Sequence, residues 1–190
     1  MQPSSLSAEQ MFDRALEALE RKDERLTAIL EELPEAIYVT DPAGVITFYN
    51  QACISFAGRV PKVGEDRWCV TWKLYTDEGR FLPHDECPMA VAIREKRPVR
   101  GVEAVAERPD GTRVSFAPYP TPLLDEEGRL VGAVNMLVDI GRRKQAAALR
   151  VQARRCRHLA ASISDDATSN TLALMAAEYE EKARSSERPN

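Results

Sequence analysis

The sequence predicts a mixed α+β domain, an antiparallel sheet with short helices, carrying helical segments before and after it. Three observations point there. Ile37 and Val39 alternate with Tyr38 and Thr40, Asp41-Pro42-Ala43-Gly44 intervenes, and Val45-Ile46-Thr47-Phe48-Tyr49 resumes the β pattern, which is how a hairpin with a type I turn reads. Pro109-Asp110-Gly111-Thr112 and Asp125-Glu126-Glu127-Gly128 place two more acidic, glycine-containing turns between β-rich runs. Towards both ends the apolar period changes from two to that of an amphipathic helix. With 190 residues, 44% hydrophobic and 29% charged, the chain suffices for one core with appendages, and its net charge of -4 makes no global case for nucleic acid.

The first element predicted is a helix. Ser7-Ala8-Glu9-Gln10 fits a capping box, and Phe12, Leu16, Leu19, Leu26, Leu30 and Leu33 follow in heptad-like steps interrupted by Asp23. That stripe reads equally as a helix lying on its own domain and as a dimer seam. Pro34 stops it. After the hairpin, Asn50 stands where it would cap a short helix over 51–56, which Gly58 ends. Residues 59–87 hold Trp68, Trp72 and Tyr75 among Gly, Pro and charged residues, and predict loop with short helical turns. Pro88 suits the first position of a helix running to Lys96, with Met89, Ala92 and Ile93 on one face.

Three strands follow, over 99–107, 113–123 and 129–140. The last is apolar on both faces. Val134, Met136 and Val138 point one way and Ala133, Asn135 and Leu137 the other, so both sides must be covered. Residues 142–163 then contain no acidic residue, while Arg142, Arg143, Lys144, Arg150, Arg154, Arg155 and Arg157 are basic. Leu149, Cys156 and Ile163 recur at every seventh position there, so this segment too is an amphipathic helix. Ser164-Asp165-Asp166 opens a final helix with Leu172, Met175, Ala176 and Tyr179 on one face. The chain therefore divides into an N-terminal helix at 1–33, a domain at 34–141, a helical hairpin at 142–184 and a flexible tail at 185–190.

The order and spacing of Ala36 to Phe56, the turn at Asp110-Gly111 and the closing Leu137-Val138-Asp139-Ile140 together resemble the bacterial PAS family, over residues 26–144. The resemblance implies a five-stranded antiparallel sheet with short helices on one face, enclosing a pocket that holds a ligand or is simply core. It implies pocket residues among Trp68, Trp72, Met89, Ile93, Asn135 and Leu137, and packing of the outer sheet face (Val134, Met136, Val138) with Phe12, Leu16, Leu19 and Leu26 on flanking helices or a second copy. Members commonly end the last strand with Asp, then Ile or Ala, then Thr. Here Asp139 and Ile140 match and Gly141 replaces Thr, so the candidate signal-transmission junction is Asp139-Ile140-Gly141, without the hydroxyl that caps the outgoing helix.

Cofactor chemistry is tested by the same residues. Light-sensing relatives need a reactive cysteine in an Asn-Cys-Arg-Phe-Leu-Gln type helix, and nothing like it occurs, which disfavours flavin. Haem is the alternative, because His84, Cys87 and Met89 place three iron-ligand types in one segment. Many relatives without haem carry a similar acidic, proline-containing helix start. No cofactor is therefore called for.

Other functions are narrowed by what is missing. The four cysteines, Cys53, Cys69, Cys87 and Cys156, show no CxxC spacing and read as reduced thiols. Neither a signal-peptide pattern at Met1-Gln2-Pro3-Ser4-Ser5 nor a run of about 18 apolar residues is present, which predicts a cytoplasmic protein without a membrane span. No phosphate loop, nucleophile elbow or HExxH motif occurs, and His158 lacks a kinase phosphoacceptor context, so no enzyme is predicted. The basic helix lacks aromatic interleaving, so nucleic-acid regulation ranks below a sensory or adaptor module acting as a homodimer on a signalling partner, with a small molecule as candidate ligand.

Overall fold

The computed structural model describes residues 30–163 and 165–187. The seam positions Phe12, Leu16, Leu19 and Leu26 lie outside the described residues. The chain divides into two compact units that part between Asp139 and Ile140.

In the first unit, residues 30–32 are helical, and the strands are β1 (Ala36–Thr40), β2 (Ile46–Tyr49), β3 (Lys73–Thr76), β4 (Phe81–Leu82), β5 (Ala104–Glu107), β6 (Arg113–Pro118), β7 (Thr121–Leu124) and β8 (Leu130–Asp139). Helix α1 (Gln51–Ala57) follows β2, and a 3-10 turn (His84–Glu86) leads into α2 (Pro88–Glu95). All strands join one antiparallel sheet in the order β2-β1-β8-β6-β5-β3-β4, with β7 also on β8. Among the described residues eight strands replace the expected five, for two reasons.

The first is a broken strand. Pro118, Pro120 and Pro122 cannot donate to a ladder, so the run expected over 113–123 splits at Tyr119-Pro120. β6 pairs with the end of β8 (Ala117 opposite Val138) and β7 with its beginning (Thr121 opposite Val134). The second is a hairpin inside the segment expected to be irregular. Thr76 donates its N–H to Arg80 C=O at 2.8 Å, Gly79 takes φ +84°, and β3 joins the sheet alongside β5. β5 starts later than expected, at Ala104, because Gly101 turns into the left-handed region at φ +73°.

The turns follow one chemistry. Asp41 Oδ1 accepts the N–H groups of Ala43 (2.8 Å) and Val45 (2.9 Å), and Asp125 Oδ1 accepts those of Glu127 (3.1 Å) and Arg129 (2.8 Å), so each carboxylate holds its own turn shut. The interior between the sheet and helices α1 and α2 is filled by Tyr38, Ile46, Phe56, Leu74, Met89 and Phe116 with a set of alanines and cysteines, and Phe56 meets Phe116 edge-to-face at 5.3 Å. On the opposite sheet face Leu30, Ile37, Val134 and Met136 form a second cluster with Leu33 and Val138. The two faces of β8 thus separate as alternation requires.

The second unit is an antiparallel helical hairpin of α3 (Gly141–Ser162) and α4 (Asp166–Glu187). Ala153, Cys156 and Ala176 pack with Tyr179 at its seam, and Arg157 pairs with Glu180 at 2.5 Å. Asp165 Oδ2 accepts the Thr168 N–H at 2.8 Å and caps α4. Met175, expected on the packed face of this helix, is instead exposed, and α4 continues to Glu187 through the expected tail. Among the described residues no helix is long and apolar enough to cross a membrane.

Candidate functional site

The interior face of β1 and β8 carries a polar network built from residues far apart in the chain. Tyr38 and Asn135 stand opposite each other in the β1–β8 ladder. Asn135 Nδ2 donates to the Tyr38 hydroxyl at 3.0 Å, that hydroxyl donates to Trp68 C=O at 2.8 Å, and Tyr119 N–H donates to Asn135 Oδ1 at 2.9 Å. The Tyr119 N–H also reaches Met136 C=O at 2.9 Å, so Asn135 steadies the strand break itself. Around this line, Thr71 Oγ1 donates to Cys69 Sγ at 3.2 Å and lies 3.4 Å from His84 Nε2, and Cys87 Sγ–H points to Trp68 C=O at 3.9 Å. Burial pushes the Tyr38 phenol and the Cys69 thiol up, and pushes the Cys87 thiol up to about 12. These groups are neutral at pH 7 and serve as hydrogen-bonding partners rather than nucleophiles.

Trp68 takes φ +68°, one of two non-glycine residues in the left-handed region among the described residues. Gly44 explains how it is held. A Cβ at Gly44, itself at φ +81°, would stand 2.2 Å from the Trp68 ring, and Trp68 N–H donates to Gly44 C=O at 2.7 Å. The first hairpin turn therefore forms a seat for the indole whose backbone carbonyl anchors Tyr38.

A second network joins the segment before β1 to α1. Asn50 stands at the cap position of α1 as the sequence predicts, but its side chain makes no cap hydrogen bond. Its Nδ2 donates to Leu30 C=O (2.9 Å), Glu35 C=O (2.9 Å) and Leu33 C=O (3.3 Å), while Oδ1 accepts Ile37 N–H (3.0 Å). The α1 N-terminus is instead met by Glu31, whose Oε2 accepts Gln51 N–H at 3.0 Å. Arg108 closes the other end of α1, donating to Phe56 C=O at 2.9 Å and Ser55 C=O at 3.2 Å.

Two of the grooves among the described residues of this unit bear on the site. One, of about 650 Å³, has Leu82, Pro88, Val91 and Val99 among its apolar walls and the carboxylates of Asp77, Glu78, Glu86 and Glu103 around it. The other, of about 460 Å³, lies between Pro34, Phe56, Arg108, Leu137 and Asp139.

The family pattern of the PAS fold matches residues 30–145, more than half of the chain. The chain belongs to the PAS fold family. Among solved structures it is similar to an RNA-binding light-oxygen-voltage receptor (19% identity, TM-score 0.48), covering 63% of this chain and 33% of that one, so it spans about a third of that protein. It is also similar to the PAS domain of a protein from Colwellia psychrerythraea (19% identity, TM-score 0.42, 62% of this chain and 95% of that one) and to a light-oxygen-voltage protein of Rhodobacter sphaeroides (12% identity, TM-score 0.45, 94% and 99%). No curated protein matches the chain.

Within the PAS domain the predicted pocket residues separate. Met89, Ile93 and Leu137 are packed into the interior, and Asn135 is engaged by Tyr38 and Tyr119. Trp68 is half-buried against the same interior. Trp72 is 52% exposed and does not join them. At the junction, Asp139 ends β8 opposite Phe116, Ile140 precedes α3, and Gly141 is the first residue of that helix. Ile140, at the N-cap position of α3, makes no side-chain cap hydrogen bond.

The haem ligand set does not fit. Met89 and Cys87 are buried in the packed interior, Cys87 is turned to the Trp68 carbonyl, and His84 faces Thr71. Among the described residues no three His, Cys, Asp or Glu side chains gather as a metal site. Burial and the Arg59 guanidinium hold the His84 imidazole below its ordinary range. What sequence reasoning missed is Tyr38 and the Asn50 amide, because their partners lie 30 or more and 13 to 20 residues away.

Proposed function

We propose that this PAS domain is a cytoplasmic sensory or adaptor module of bacterial signal transduction, whose output is a change in the contacts of its flanking helices. The observation that carries this reading is the Asn50 amide. One side chain binds the carbonyls of the entering segment (Leu30, Leu33, Glu35) and the β1 backbone (Ile37), and its own backbone precedes α1, which covers the interior. A ligand or partner that shifts α1 against the sheet therefore acts on the entering segment through a rigid polar link. The energy available for switching is the difference in its affinity for the two packings. The pairing of Leu30 with Val134 and Met136 on the outer sheet face supports a homodimer or helix-covered surface there. We do not assign the module an enzymatic role.

Hydrogen exchange on the full chain tests the link. Asn50→Ala should speed exchange both at 30–37 and across α1. Acceleration confined to the first turn of α1 would reduce Asn50 to a local helix-start residue and remove the coupling on which this reading stands.

A further inference from the structure

The groove of about 650 Å³ at the β3–β4 hairpin and the exposed face of α3 have complementary chemistry. Leu82, Val91 and Val102 give the groove apolar walls, and Glu78 and Glu86, both exposed, stand beside it with Asp77 and Glu103. Glu78 has Arg80 4.0 Å away, a weak exposed pair. Helix α3 carries no acidic residue. Arg154, Arg155 and His158 lie exposed along it, and Val151 (37% exposed) and Leu159 (50%) put apolar side chains on neighbouring positions. Arg154 and His158, and likewise Arg155 and Leu159, are four residues apart and so share a face.

We propose that this groove is a docking site for the basic α3 helix of a second copy of the chain. The guanidinium groups of Arg154 and Arg155 meet the carboxylates of Glu78 and Glu86, and Leu159 enters between Leu82 and Val102. Charge complementarity selects this occupant: an acidic-rimmed apolar groove repels acidic helices, gains nothing electrostatically from neutral ones, and favours one that is basic with exposed leucine. Reciprocal docking closes a two-fold pair and leaves no open end. The contact rests on these charges and not on the sensory reading, and stands whether or not a ligand is sensed.

Isotope-resolved cross-linking tests it. Full-length chain carrying Val102→p-benzoylphenylalanine at natural isotope abundance is mixed with 15N-labelled chain and irradiated. The proposal predicts a cross-link from the substituted position to the 15N peptide spanning 151–159, with a yield that falls as salt rises from about 0.05 to about 0.5 M. Glu78→Lys with Glu86→Lys, or Arg154→Glu with Arg155→Glu in both copies, should cut the yield about tenfold or more. Mixing the groove reversal with the helix reversal should restore it, which also shows that both variants are folded. Cross-links only within one isotope, cross-links to another segment or another molecule, or yields indifferent to charge reversal would each overturn it.

Discussion

The Asn135 amide donates to the Tyr38 hydroxyl at 3.0 Å from the directly opposite position of the neighbouring strand. The same hydroxyl holds the carbonyl of Trp68, so one buried phenol joins the adjacent strands β1 and β8 to the loop that seats the indole. Removing it strands a carbonyl and an amide in a packed interior. Tyr38→Phe should therefore cost about 1–3 kcal/mol in urea denaturation. Tyr38→Phe combined with Asn135→Leu should cost less than the sum of the single changes, because they share a partner; strict additivity would show that the two act separately.

Asn50 has no substitute of equal reach. Asn50→Ala leaves Ile37 N–H and the Leu30 and Glu35 carbonyls without their partner. We expect a loss of about 2–4 kcal/mol, at the severe end for a single polar deletion. Asn50→Asp should also be poorly tolerated, since a carboxylate cannot donate to three carbonyls. A variant of near-native stability would contradict the hydrogen-bond assignment.

Two glycines of similar backbone should differ sharply. At Gly79 (φ +84°) a Cβ meets open space, and Gly79→Ala should cost about 1–2 kcal/mol for the left-handed backbone alone. At Gly44 (φ +81°) the Cβ also strikes the Trp68 ring, adding about 1–3 kcal/mol for the displaced indole. Tryptophan emission should shift to the red in Gly44→Ala and stay unchanged in Gly79→Ala.

Stability should weaken at both ends of the pH range, for different groups. His84 has its pKa lowered by burial and Arg59, with Asp66 and Asp85 opposing, so the unfolded chain takes up a proton first. Its contribution is complete above about pH 6.5 and is lost as pH falls below that value, and His84→Gln should remove this acid dependence. The thiols of Cys69 and Cys87 are raised by burial, so their contribution is complete below about pH 8.5 and declines as pH rises above it. In line with this, an aromatic disulfide reagent at about pH 8 should label these two cysteines only on unfolding; rapid native labelling would contradict their burial.

Sequence signals are legible where the partner is also local. The Asp41–Gly44 turn, the proline start of α2, the alternation of β8 and the Asp165 cap of α4 each depend on residues within a few positions. Asn50 illustrates the opposite case. Its type and place satisfy a helix cap, yet its amide bonds three upstream carbonyls while Glu31 meets the helix end. Trp68 and Trp72 look alike in sequence, but only Trp68 finds a glycine seat, which Gly44 supplies from 24 residues away. The β3–β4 hairpin did carry a Thr76-Asp77-Glu78-Gly79 turn signal, obscured by strands too short to show a period.

The most direct test of the proposed function is native mass spectrometry of the protein purified from its own cells, which reports bound molecules and oligomeric state together. A sensory or adaptor module should appear as a dimer retaining a small molecule or a partner protein. A bare monomer, without ligand or partner at any tested concentration, would contradict it.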